Sequence, residues 1–204
     1  MTPSSQLGQL GASMTGRERV ALTKPLEPFL EFPKIPRLNR EVVVSEKLDG
    51  TNASVYITEA GTIHAASKSK WIDEADDNHG FAKWVAEHAQ ELMALGPGYH
   101  RGEWHGSGIN KNRNRLPDKR WALFNTTRWT TDTPPPACCS VVPILYRGPF
   151  DTTILNGLLS TMREQGSRAY PGTPGEGIII FHTASTQFWK ATTERDTEWK
   201  GKPA

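Results

Sequence analysis

The sequence predicts an α+β fold of antiparallel sheets with flanking helices, and three observations carry that prediction. Short β-branched and aromatic runs recur along the chain, each closed by glycine, proline or asparagine. Only two well-separated stretches, 81–95 and 154–162, place apolar residues at helical spacing. No internal repeat is present, and 204 residues suffice for one good core.

Bulk properties narrow the function. A chain that is 36% hydrophobic and 23% charged, with mean hydropathy −0.54, has the composition of a soluble protein. Its net charge of +2 gives no global basic field, so any nucleic-acid site must come from local clustering. Cys138 and Cys139 are adjacent, which suits neither an ordinary disulfide nor a zinc site, and a reducing, cytoplasmic setting is expected. No apolar run is long enough to span a bilayer, and the N-terminus lacks a signal-peptide core, so no membrane partner is expected.

Residues 1–23 read as a flexible tail, in which Met14 is an alternative start, and 24–204 as one domain with no separate C-terminal module. Four prolines among Phe29, Phe32, Ile35 and Leu38 predict an extended, packed lead-in over 24–40. Val42–Val44 and Ala53–Ile57 are strands, and Thr62–Ser67 is a third, closed by Lys68, Lys70 and Trp71. Asp73, Glu74, Asp76 and Asp77 precede a helix, where carboxylates suit the positive end of its dipole better than they suggest a metal site. That helix carries Phe81, Trp84, Val85, His88, Leu92 and Leu95, and Gly96-Pro97-Gly98 stops it. His88 sits on the apolar stripe as a core or boundary residue.

Strands follow at Tyr99–Trp104, Trp121–Trp129 and Val141–Tyr146, with a basic loop after the first and a triple-proline loop after the second. Asp151 looks like the N-cap of a second amphipathic helix that ends at Gly166. Gly177–His182 and Gln187–Thr193 form a closing hairpin.

Between the first two strands lies Glu46-Lys47-Leu48-Asp49-Gly50-Thr51-Asn52. A lysine amine is nucleophilic only when unprotonated, so a covalent lysine needs desolvation or a neighbouring cation. Lys-x-Asp-Gly arises by chance in roughly a few per cent of chains this long, so the motif gains weight only from its company. That company is a cationic strand end at Lys68, then Gly102-Glu103, Phe124, and Glu176-Gly177 followed by Lys190.

In this order the motifs resemble those of the covalent nucleotidyltransferase superfamily, which includes ATP-dependent DNA ligases, RNA ligases and mRNA capping enzymes. Lys47-Leu48-Asp49-Gly50-Thr51-Asn52, with asparagine after Gly-Thr, is most similar to the nick-sealing type of ATP-dependent RNA ligase. The likeness runs from about Phe32 to the end of the chain.

The resemblance implies an ATP-grasp-like adenylation domain in which Lys47 attacks the α-phosphate of ATP. Glu46 would contact the adenine, Asp49 and Asn52 would bracket Lys47 and the ribose-phosphate, and Gly50 would leave room for the ligand. Glu103 would face the ribose or a metal, Phe124 would stack on the purine, and Glu176 would lie near Mg²⁺ or Mn²⁺. Lys190 would hold phosphate. An arginine usually ends the family's third strand, where this chain offers Lys68 or Lys70. The last motif usually has two lysines one residue apart, so Lys200 is a second candidate beside Lys190.

Charge accumulating on a triphosphate calls for magnesium and fixed cations more than for an acid or base. The expected partners are RNA with 5′-phosphate and 3′-hydroxyl ends, including a nicked duplex or an RNA–DNA hybrid, and a monomer is expected. Lys111, Arg113, Arg115, Lys119 and Arg120 in the basic loop are the candidate strand-binding residues. A small DNA ligase and a non-sealing nucleotide- or RNA-binding relative are the alternatives.

Overall fold

A computed structural model describes Leu26 and residues 28–194. The expected N-terminal tail, Met14 within it, and Lys200 lie outside these residues. The chain divides into two units, Met1–Ile35 and Pro36–Ala204, and the division falls inside the proline-rich lead-in. Residues 28–35 have no regular secondary structure, and Phe29, Leu30, Phe32 and Ile35 are exposed. Residues 28–35 thus leave exposed the apolar side chains that the sequence suggested would pack. Prolines cannot donate to a strand ladder, so the segment has apolar side chains without the pairing that would bury them.

In the second unit, β1 (Glu41–Lys47), β8 (Ile144–Pro149), β9 (Gly177–His182) and β10 (Gln187–Thr192) form a first sheet, ordered β10-β9-β1-β8. A helix, α3 (Thr152–Gln165), covers one of its faces. Val42, Val44, Ile178 and Ile180 meet Leu155, Leu159 and Met162 there, each buried side chain contributing about 1.5–3 kcal/mol. Asp151 caps this helix as its sequence suggests, accepting the Thr153 amide at 2.7 Å. Gly166, with φ of 81°, ends it.

The second sheet is built from β2 (Gly50–Ile57), β3 (Ile63–Ala66), β4 (Trp71–Ile72), β5 (Gly98–Gly106), β6 (Lys119–Leu123) and β7 (Cys139–Val141). Their order is β4-β3-β2-β5-β6-β7. All pairings are antiparallel except β6 with β7. Val55 and Ile57 pack with Phe81 and Val85 of α1 (Phe81–Glu87) and with Trp104 and Trp121. The Phe81 ring sets its edge on Trp104 at 5.3 Å. The preceding acidic run serves local structure: Asp77 accepts the Ala82 amide at 2.8 Å, and Asp76 pairs with Lys70.

Three expected elements also change. The first long helix breaks at His88, whose ring stacks on Trp84 and whose backbone leaves helical geometry. Beyond it lie only α2 (Ala89–Leu92) and a 3₁₀ turn. Strand β6 ends at Leu123, so Phe124 stands just past it rather than within a strand running to Trp129. The expected strand Val141–Tyr146 is two strands in different sheets. Pro143 has no amide to donate; instead its carbonyl accepts the Glu46 amide in the first sheet, while the Val142 amide donates to Leu123 in the second.

The chain thus passes between the sheets at Val142-Pro143, and it does so again at Leu48-Asp49. Leu48 packs with Ala122 and Val142, which pins the two crossings together. Gly50 opens β2 directly against β5: a Cβ there would lie 2.4 Å from the Trp104 carbonyl oxygen and 2.7 Å from the His105 Cβ. The sequence suggested that Gly50 leaves room for a ligand, but the missing methyl leaves room for β5. Gly50→Ala is expected to cost about 1–3 kcal/mol through backbone overlap. Thermal or urea unfolding measures this directly, and unchanged stability would refute the close approach.

Candidate active site at the crossing of the two sheets

Lys47 is the last residue of β1, and its partner across β9 is Gly177. This register brings Glu176 alongside, and the Lys47 Nζ donates to Glu176 Oε2 at 2.7 Å. Both side chains are about four-fifths buried. An amine attacks only with its lone pair free, so this contact holds the Lys47 amine in place without leaving it ready to react.

Two further carboxylates lie near, one from the second sheet and one from the link between the sheets. Glu103 lies opposite Asn52 across β2 and β5. Burial, the largest cause, pushes the Glu103 carboxyl up to about 7; Lys47 pulls it down, while Glu176 and Asp49 add repulsion. Asp49 is buried at the crossing and accepts the Arg113 amide at 3.1 Å. Glu103, Glu176 and Asp49 bring carboxylate oxygens, the donors a hard divalent cation takes, to the neighbourhood of Lys47. Among the described residues no group of three or more His, Cys, Asp or Glu forms a ready-made cage. A hard cation bound by Glu103 and Glu176 would take its other ligands from phosphates and water.

Alternation along β1 and β9 sends Val43, Ser45, Lys47, Ile179 and Phe181 to the face away from α3. A cavity of about 580 Å³ lies there, lined by Val43, Ser45, Ile179 and Phe181 on one side and Phe124 on the other. An aromatic opposite an aliphatic is a suitable slot for a purine. Lys190 pairs with Ile179 and so belongs to the same face. Lys68 is exposed and lines an adjoining cavity with Asn52 and Phe124, whereas Lys70 is committed to Asp76.

Glu46 departs from its expected role. Its side chain is buried on the opposite side of β1 from Lys47, where Oε2 accepts the Ala169 amide at 2.8 Å. That carboxylate is a structural acceptor and does not reach the base slot.

The basic loop also behaves differently from a free phosphate-binding strip. Arg113 is drawn into the site, where its guanidinium grips Glu194 at 2.5 and 2.8 Å and approaches Asp49 at 3.9 Å. Lys111 lies 3.9 Å from Glu194. Lys119 donates to the His79 carbonyl, and Arg120 pairs with Asp118 and lies over the Tyr170 ring. Arg115 is exposed, with a φ of 50°. Lys111 and Arg113 share a cavity of about 380 Å³ with Asp49, Asn110 and Glu176, so this part of the loop is a wall of the lysine's site.

Sequence reading missed several contributors. Asn110 donates to the Gly50 carbonyl, which ties the loop to the turn after the lysine. His105 is buried beneath Glu103: Nε2 lies 2.7 Å from the Tyr170 hydroxyl and Nδ1 lies 3.2 Å from the Glu103 carbonyl. Burial lowers the His105 pKa. The only available signal was the alternation of β5, which gives Glu103 and His105 the same face.

The fold is that of the covalent nucleotidyltransferases. Within this class the chain belongs to the RNA ligase family, whose pattern matches residues 40–195. Solved structures of the Naegleria gruberi RNA ligase share the fold. A lysine-to-alanine variant with ATP and Mn aligns at TM-score 0.57 and 19% identity, covering 76% of this chain and 49% of that one. A lysine-to-methionine variant with AMP and Mn gives 0.57 and 19%, over 76% and 50%. A glutamate-to-alanine variant with ATP and Mn gives 0.56 and 18%, over 77% and 51%. The chain thus spans about half the length of these structures. No curated protein matches it by sequence.

The raised Glu103 pKa has a measurable consequence. The folded protein keeps this proton up to about pH 7, whereas the unfolded chain loses it near 4.5. Glu103 thus supports folding below pH 4.5, and that support fades as the pH rises through 7. Unfolding free energies at pH 5 and pH 8 should fall more steeply in the wild type than in Glu103→Gln, by up to about 3 kcal/mol in the ligand-free protein. Equal slopes would exclude the assignment.

Proposed function

We propose that the protein is an ATP-dependent RNA ligase that works through a covalent AMP on Lys47. The observation that carries this reading is the Lys47 amine at the crossing of the sheets, hydrogen-bonded to Glu176 with Glu103 and Asp49 beside it.

The unprotonated amine attacks the α-phosphorus of ATP; an N–P bond forms, the bond to the β-phosphate breaks, and pyrophosphate leaves. Glu176, at 2.7 Å, is the nearest acceptor for the proton the amine sheds. Glu103 and Glu176 would hold Mg²⁺ or Mn²⁺, which would supply charge neutralisation at the triphosphate. Phe124 and Ile179 hold the adenine between them. Asn52 faces the ribose-phosphate and Asp49 keeps the crossing in place. Lys190 and Lys68 steady phosphate oxygens.

In the second step a 5′-phosphate attacks the lysyl-bound phosphorus, restoring the amine and leaving AMP on the strand end. A 3′-hydroxyl then attacks that 5′-phosphate and expels AMP. The substrates are RNA with 5′-phosphate and 3′-hydroxyl ends, at a nick or on an RNA–DNA hybrid, and the enzyme acts as a monomer. Two free thiols at Cys138 and Cys139 support a reducing, cytoplasmic setting. No helix among the described residues is long and apolar enough to cross a membrane.

Incubation with ATP labelled at the α-phosphate and a divalent metal should leave label on the denatured protein. Lys47→Ala should carry none, and Glu176→Ala should be labelled about 100-fold more slowly or worse. A wild type that stays unlabelled across metals, or a Lys47→Ala protein that labels, would falsify the proposal. Nicked duplexes separate the polynucleotide classes: sealing should favour a 3′-hydroxyl strand made of RNA. Preference for an all-DNA nick would make the protein a DNA ligase.

A further inference from the structure

The outer face of the second sheet leads away from the catalytic carboxylate and carries Tyr56 and Trp71, which the adenylation step does not use, beside Lys68, which it does, and Tyr99 and Arg101, which also line the purine cavity. Antiparallel register places Asn52 opposite Glu103, Ser54 opposite Arg101, and Tyr56 opposite Tyr99. All of these point away from the core that holds Val55 and Trp104. Trp71, from β4, closes the group.

Tyr56 and Tyr99 stack at 4.4 Å, and Trp71 lies 5.9 Å from Tyr56 and 6.1 Å from Tyr99. Such stacking would ordinarily accompany burial, yet Trp71 is 53% and Tyr99 57% exposed. The Arg101 guanidinium lies 6.0 Å from the Tyr99 ring centroid. The adjoining cavity of about 510 Å³ contains Lys68, Lys70 and Arg101 among its lining residues and no carboxylate. Lys70 is paired with Asp76, so Lys68 and Arg101 are the cations left for a ligand. Asp73 and Glu74 line a different cavity, which Trp71 also borders.

We infer that this face holds the single-stranded end of an RNA substrate, its bases stacked on Trp71, Tyr99 and Tyr56 and its phosphates on Arg101 and Lys68. The inference rests on the ligase reading above and adds the surface that reading lacks, because the basic loop is largely occupied by internal partners. Aromatic rings between cations, without acids among them, match a polyanion with flat bases and do not match a basic partner. The track is continuous with the chemistry: Tyr99 is four residues from Glu103, about 14 Å along one strand.

The test uses the full chain, carrying Lys47→Ala for binding, and a fluorescent single-stranded RNA with a 5′-phosphate and a blocked 3′ end. Trp71→Ala should weaken binding about 5- to 100-fold, while Trp71→Phe, which keeps a ring, should stay within about twofold of the parent. Arg101→Gln should reduce the salt slope of binding by about one unit. Binding by Trp71→Ala within about twofold of the parent overturns the inference, and so does an equal loss in Trp71→Phe, which would mark a structural defect. A dimer that Trp71→Ala dissolves without changing RNA affinity would assign the face to a second copy. Covalent AMP labelling of the wild type is scored separately. RNA binding that depends on Trp71 without any label would sink the ligase reading and leave the surface intact, and the reverse result would do the opposite.

Discussion

The active-site geometry depends on a single constraint, that β1 and β2 are consecutive in sequence but belong to different sheets. Only Leu48 and Asp49 separate them. Leu48 is buried against Ala122 and Val142, so this short link is clamped by the core. The residue before the link ends one sheet and the residues after it begin the other. Lys47 therefore meets Glu176 through β9 and lies near Glu103 through β5, although Glu176 is 129 residues farther along the chain. Had β1 and β2 formed a simple hairpin, as a turn between two apolar runs would suggest, the lysine would have sat at an exposed loop tip.

Much of the fold was legible because local chemistry agreed with tertiary structure. The α3 cap at Asp151, its stop at Gly166 and the closing hairpin all followed from nearby residues. The misreadings have a common physical origin. Val141–Tyr146 has the composition of one strand, but Val142 satisfies the second sheet while the Pro143 carbonyl satisfies the first. Phe124 has strand neighbours, but its amide donates to the Arg101 carbonyl as the chain turns away. The lead-in is apolar enough to pack, but its prolines remove the donors that a sheet edge would need.

The site shows the same division. Lys47, Glu103, Phe124 and Glu176 could be picked out by order, because each is bracketed by its own turn or strand. Arg113 and Asn110 could not, since their partners Asp49 and Gly50 lie some sixty residues earlier and nothing local marks the pairing. A run of basic residues invites a phosphate-binding reading, yet most of these cations answer acids or carbonyls of the same chain. Glu46 is a similar case, because the alternation of β1 that directs Lys47 into the cleft turns its neighbour to the far side, onto the Ala169 amide.

Both passages between the sheets, at Leu48-Asp49 and at Val142-Pro143, sit side by side and share the packing of Leu48. They act as the spine of a book whose pages are the two sheets. Any change in the angle between the pages displaces least what lies at the spine and most what lies toward the outer edge. Lys47 is at the spine, whereas Val43 and Phe181 of the base slot lie about 14 Å farther along their strands. A change in that angle would thus alter the cavity lined by Val43 and Phe181 more than the position of Lys47.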